Sequence, residues 1–139
     1  MNDTSWTMTT AETPDSRPPR ILIVDDEAAL MRALCNTLRD HGFETTGFTD
    51  AKAALESLAP RRYDLLLADL MMPGMDGIAV LQAAQRADPD IVGIIMTGEG
   101  TIASAVESMK SGALDFVLKP FKLGGMLPVL SRALAVRDL

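Results

Sequence analysis

The sequence predicts an α/β fold, a five-stranded parallel doubly wound sheet with (βα)5 connectivity. Short aliphatic runs alternate five times with segments whose apolar residues recur at helical spacing. The runs at 21–24, 65–68 and 92–96 are apolar throughout rather than alternating, as expected of strands covered on both faces. Turn and capping residues fall between them, among them Gly42, Asp50 and the segment "MMPGMDG".

In chain order, "ILIV" (21–24) is the first strand. Leu30, Leu34 and Leu38, spaced by four, lie on a helix that stops near "HGF", with Gly42 as its C-terminal cap. "FETTGF" (43–48) reads as a strand, and "DAKAALESLA" (50–59) as a helix with Asp50 at its N-cap. "DLLLAD" (64–69) is a second buried-type strand. After "MMPGMDG" a helix carries Ile78, Leu81 and Ala84 and ends at "ADPD". "IVGIIMT" (91–97) is a strand, and Ile102, Ala105, Val106 and Met109 form one face of the next helix. "DFVLKP" (115–120) is the fifth strand, and Leu123, Leu127, Leu130 and Leu134 line a last, core-facing helix. Residues 1–19 are rich in Thr, Ser, Asp and Pro, end in "SRPP" and follow neither period. They predict a disordered leader, with Trp6 in a solvated tail, ahead of one domain over 20–139.

Composition bounds the function. The 139 residues suffice for one domain with a real core. Net charge is −6 and no run of Lys or Arg occurs, so no direct contact with nucleic acid is expected. The single cysteine, Cys35, excludes an internal disulfide, and with no signal-type start the chain is expected in the cytoplasm. Cys35 reads as a small buried hydrophobe and His41 as a helix-end cation. The longest apolar runs are strand-length, so no membrane insertion is expected.

In such a sheet, function sits beyond the carboxyl ends of the strands. The first strand ends in Asp25 and Asp26, the third in Asp69, the fourth in Thr97 and the fifth in Lys119. Two carboxylates about 5 Å apart repel by roughly 3 kcal/mol at an effective dielectric of about 20. A hard divalent cation relieves this, and Mg2+ accepts one or two carboxylates while keeping coordination open for a phosphoryl oxygen. Lys119 and Thr97 would contact the remaining oxygens, one as a charge and one as a donor. Held against metal and lysine, the Asp69 carboxylate can attack phosphorus in line to give an aspartyl phosphate.

"ILIVDDE", "LLLADLMMPGMDG", "IIMTGEG" and "GALDFVLKPF" resemble the signature segments of the response-regulator receiver domain of two-component signalling, in order and spacing, over residues 20–139. The resemblance implies a flavodoxin-like (βα)5 fold, phosphorylated on aspartate by a histidine kinase or histidine phosphotransfer protein. It makes Asp69 the phosphoacceptor, Asp26 a direct Mg2+ ligand and Asp25 a ligand largely through water, with the backbone carbonyl of Met71 completing the set. Thr97 and Lys119 would read the phosphoryl group, and the Lys119–Pro120 peptide would be cis. Phe116, where many relatives have Tyr, is the switch aromatic, turning inward as Thr97 moves. The output face would be the helix at 102–111, the strand 115–118 and the helix from 123, facing a downstream protein, a linked sensor or kinase module, or a second copy in a homodimer.

Three positions are singular. Met71 is apolar where a polar side chain is frequent, Glu99 is an acid near the entrance, and Gly98 leaves room for phosphate. Such a chain is not an enzyme, beyond assisting its own phosphorylation and dephosphorylation. Its parent is expected to be a larger signalling protein, such as a hybrid sensor kinase, with a stand-alone regulator as the alternative. Haloacid-dehalogenase-like phosphatases place a second acid two residues after the nucleophile, where this chain has Met71. A nucleotide site at "GEGTIASA" lacks the glycines and the lysine that phosphate loops need.

Overall fold

The runs at 21–24, 65–69 and 92–97 form buried strands, and the segments at 44–48 and 115–118 form partly exposed ones at the sheet edges. A computed structural model describes residues 17–59, 62–98 and 102–138. The elements are β1 (Arg20–Val24), α1 (Ala28–Asp40), β2 (Glu44–Phe48), α2 (Ala51–Glu56), β3 (Leu65–Asp69), α3 (Gly77–Ala87), β4 (Val92–Thr97), α4 (Ile102–Lys110), β5 (Asp115–Leu118) and α5 (Leu123–Arg137). One sheet holds all five strands, parallel, in the order β2-β1-β3-β4-β5.

The doubly apolar strands feed two cores. Leu22, Val24, Leu66, Ala68 and Ile95 meet Ala54 of α2 and Val80, Leu81 and Ala84 of α3. On the opposite face Ile21, Ile23, Leu65, Leu67 and Met96 meet Leu34, Cys35 and Leu38 of α1 and Met126, Leu130 and Ala133 of α5. Parallel strands need this double cover, because both rows of side chains are apolar.

The termini of the elements follow their capping residues. Asp50 accepts the Ala53 N–H (3.1 Å) and Asp76 the Ala79 N–H (2.8 Å), each closing the first turn of its helix. Gly42 takes φ +92°, and the Phe43 N–H reaches back to the Leu38 carbonyl (3.1 Å) to end α1. The Lys119–Pro120 peptide is cis, as expected.

One helix ends short of expectation, and another turns its apolar stripe outward. α2 ends at Glu56 rather than near 59, where Ser57 Oγ donates to the Ala54 carbonyl (2.6 Å) and closes the last turn. The apolar side of α4 is not its packed side. Val106 and Met109 are 44% and 46% exposed, while Ser108 is fully buried. α4 lies against the edge strand β5, where the small Ser108 permits close approach, and its hydroxyl is satisfied by the Ser104 carbonyl (2.9 Å). The side chain of Ile102 lies outside the described residues.

Of the expected leader, residues 1–16, Trp6 included, lie outside the described residues. The Pro19 carbonyl accepts the Glu44 N–H (2.8 Å), and Arg17 stands 3.7 Å from Asp64, so this end of the segment is tied to the sheet. No described helix is long and apolar enough to cross a membrane.

Candidate functional site

The strand order reverses between β1 and β3, the point at which the carboxyl edge of a doubly wound sheet places its crevice. Register decides what lines it. Val24 pairs with Ala68, so Asp25 and Asp69, the next residue of each chain segment, emerge side by side. Asp69 pairs with Met96, which puts Thr97 one step on, and Thr97 pairs with Leu118, which is followed by Lys119. Backbone hydrogen bonds carry the pairing past the strand ends: Asp25 N–H to Phe48 O (3.1 Å), Leu70 N–H to Met96 O (2.7 Å) and Lys119 N–H to Thr97 O (2.8 Å).

The Lys119 ammonium sits among three carboxylates. Nζ is 2.7 Å from Asp25 Oδ2, 2.9 Å from Glu27 Oε1 and 3.2 Å from Asp69 Oδ2. Asp25 and Asp69 are only 1% and 6% exposed, and Thr97 is buried beside them. Oxygens of Asp25, Glu27 and Asp69 all lie within 4.8 Å of one another. Asp25 Oδ1 accepts the Glu27 N–H (2.9 Å). Its buried Oδ2 makes no hydrogen bond, because the ammonium approaches at ion-pair distance but off the bonding direction.

These charges shift one another. Burial pushes the Asp69 carboxyl up and the Asp25 charge pushes it further, while Lys119 and the Met71 N–H pull it back, leaving it at about 6. Burial pulls the Lys119 ammonium down, but its contacts with Asp25, Glu27 and Asp69 together outweigh this and hold it above the usual lysine value.

Gly77 fixes the backbone under the nucleophile. Its N–H bonds the Leu70 carbonyl (3.0 Å), and a Cβ there would stand 2.4 Å from the Asp69 carbonyl oxygen. No larger residue can begin α3 this close to the end of β3.

Sequence reasoning and geometry differ over one acid. Asp25, Asp69, Thr97 and Lys119 meet as expected. Asp26 is exposed and stands outside the trio of close carboxylates, whose third member is Glu27. The signal for Glu27 was the last letter of "DDE": Glu27 is the N-cap residue of α1 but makes no side-chain cap bond, so its carboxylate is free to reach Lys119. The Met71 side chain is exposed at the rim, unlike Met72 and Met75, which pack on the core. Phe116 is partly buried against the α2–α3 core and borders a surface pocket of about 300 Å³. Gly98 has open space where a Cβ would be, and Glu99 lies outside the described residues.

Asp25 and Asp69 set two buried carboxylates against one ammonium, beside Asp26, and supply hard oxygen donors of which Asp25 Oδ2 lacks a hydrogen bond. That donor set fits a divalent cation of the Mg2+ type.

Residues 21–130 match the response regulator receiver domain. The chain belongs to this family. Among its relatives is the C4-dicarboxylate transport transcriptional regulatory protein DctD of Rhizobium meliloti, 36% identical over 124 residues, covering 89% of this chain and 27% of the relative. The DNA-binding response regulator MtrA of Mycobacterium bovis is 41% identical over 108 residues, covering 78% of this chain and 47% of MtrA. The receiver domain of NtrX from Brucella abortus superposes with a TM-score of 0.77 at 35% identity, covering 83% of this chain and 98% of that one. The receiver chain thus spans less than half the length of these two curated relatives. Its parallel five-stranded sheet is the architecture that the sequence predicts.

Proposed function

We propose that this receiver domain accepts a phosphoryl group on Asp69 from the phospho-histidine of a histidine kinase or histidine phosphotransfer protein. The observation that carries the reading is the meeting of Asp69 with Asp25 and Lys119 in the crevice at the strand-order reversal. An Asp69 oxygen attacks phosphorus in line; the new O–P bond forms as the P–N bond to the donor imidazole breaks, and the imidazole takes up a proton. With its carboxyl at about 6, Asp69 is mostly ionised at neutral pH and ready to attack. Lys119 pairs with one phosphoryl oxygen, the Thr97 hydroxyl donates to another, and Gly98 leaves the approach open.

Mg2+ would be held by Asp26 and Asp69 directly, by Asp25 largely through water, and by the Met71 backbone carbonyl. When bound, it neutralises charge on the transferring phosphoryl oxygens. Asp25 keeps the Asp69 end of the crevice negative enough to recruit it.

Once Asp69 is modified, Thr97 moves toward the new group and Phe116 turns into the space released. Phe116 has no hydroxyl, so packing alone separates its two positions. The α4–β5–α5 face changes with it, and that face signals to a protein partner. DctD is a transcriptional regulatory protein by name and MtrA a DNA-binding response regulator, which supports a parent that binds DNA through another segment over a hybrid kinase. The net charge of −6 argues against this domain touching DNA itself.

Intact-mass measurement after incubation with acetyl phosphate and Mg2+ tests the reading. The wild type should gain one phosphoryl group and Asp69→Asn none, with an unchanged fold; labelling of Asp69→Asn at the wild-type rate would exclude Asp69. Turnover of many equivalents of donor would instead indicate a phosphatase.

A further inference from the structure

Lys119 is held by three carboxylates that are not alike. Asp25 and Asp69 are buried, whereas the Glu27 side chain is 63% exposed and reaches the ammonium from the solvent side, across 92 residues of sequence. The Glu27 backbone is pinned: its N–H bonds Asp25 Oδ1 (2.9 Å) and its carbonyl accepts the Met31 N–H (2.9 Å). Its side chain has no other hydrogen bond in the described structure and is set by Lys119 alone.

Three carboxylates within 3.2 Å crowd the Lys119 ammonium, so a phosphoryl oxygen can come alongside it only as one of them gives way. Releasing Asp25 or Asp69 would leave a buried charge unpaired, which is costly; releasing Glu27 returns an exposed carboxylate to water, which is cheap. We infer that Glu27 is a positioning residue, an arm that parks the Lys119 ammonium at the mouth of the crevice and gives it up when a phosphoryl group arrives. This rests on the proposed chemistry at Asp69. It adds that the resting position of Lys119, and hence the rate of phosphorylation, is set from the N-cap of α1.

Glu27→Ala removes the charge and the contact; Glu27→Asp keeps the charge but is one methylene too short for the contact. Exposed ion pairs of this kind correspond to about a two- to fivefold effect on a rate or equilibrium. Both variants should therefore label with acetyl phosphate about two to five times faster than wild type, at saturating Mg2+. In EDTA, the 15Nζ resonance of Lys119 should be protected from exchange in the wild type and broadened in both variants. Mg2+ affinity of Glu27→Asp should stay within about twofold of wild type. Wild-type labelling and a wild-type Lys119 resonance in Glu27→Asp would overturn the inference, leaving charge alone at work. A Glu27→Asp variant with about tenfold weaker Mg2+ binding and slower labelling would overturn it too, making Glu27 a metal ligand. If the wild type accepted no phosphoryl group, the proposed chemistry would fail, and the Lys119 resonance would still decide whether Glu27 holds the ammonium.

Discussion

Asp69 carries a proton more readily than an ordinary aspartate, because it is buried and faces the Asp25 charge, and Lys119 only partly offsets this. The stability of the metal-free domain should show it. Below about pH 4 the group is protonated in both folded and unfolded chains. Between about 4 and 6 the folded chain keeps a proton that the unfolded chain has released, so stability falls as pH rises through that window and then levels off. Urea titrations in EDTA should show this decline in the wild type and its loss in Asp69→Asn. At pH 7 the variant should be more stable by about 1–3 kcal/mol. A less stable Asp69→Asn at pH 7 would mean that the Lys119 contact outweighs burial. Asp26 gives a second residue-level test. It is exposed and outside the close trio, so Asp26→Ala should barely change stability in EDTA. Direct ligation predicts that the same change weakens Mg2+ binding about tenfold or more by calorimetric titration. Wild-type Mg2+ affinity would remove Asp26 from the ligand set.

At the scale of elements, the junction between β3 and α3 is the tightest part of the site. Gly77→Ala would press a methyl group onto the Asp69 carbonyl oxygen, 2.4 Å away as built, so β3 and α3 must part. Such overpacking should cost about 1–3 kcal/mol in urea unfolding. Labelling of Asp69 should slow by about tenfold or more as its carboxylate shifts from Lys119. Wild-type stability and labelling would show the approach to be looser than it looks. The elements themselves were legible wherever local pattern decides the outcome. Doubly apolar runs became β1, β3 and β4, and Asp50 and Gly42 capped where side-chain chemistry required. For α4, periodicity finds an apolar stripe without saying which way it faces. Beside an edge strand the close contact went to Ser108, and Val106 and Met109 turned outward.

For the whole molecule, chain topology does most of the site building. Parallel strands in the order β2-β1-β3-β4-β5 bring Asp25, Asp69, Thr97 and Lys119 to one edge, though the first and last are 94 positions apart by residue number. This much was readable, since each of those residues ends an aliphatic run and a doubly wound sheet aligns such ends. Two features were not. The exposure of Asp26 and the capture of Lys119 by Glu27 depend on how the chain turns between β1 and α1, and no hydrophobic period records that turn. The decisive measurement is to find where the phosphoryl group goes. After acetyl phosphate and Mg2+, borohydride reduction of the acyl phosphate followed by peptide sequencing should place homoserine at position 69 and at no other aspartate. Homoserine at Asp25 or Asp26, or none anywhere in a folded, Mg2+-loaded domain, would contradict the account.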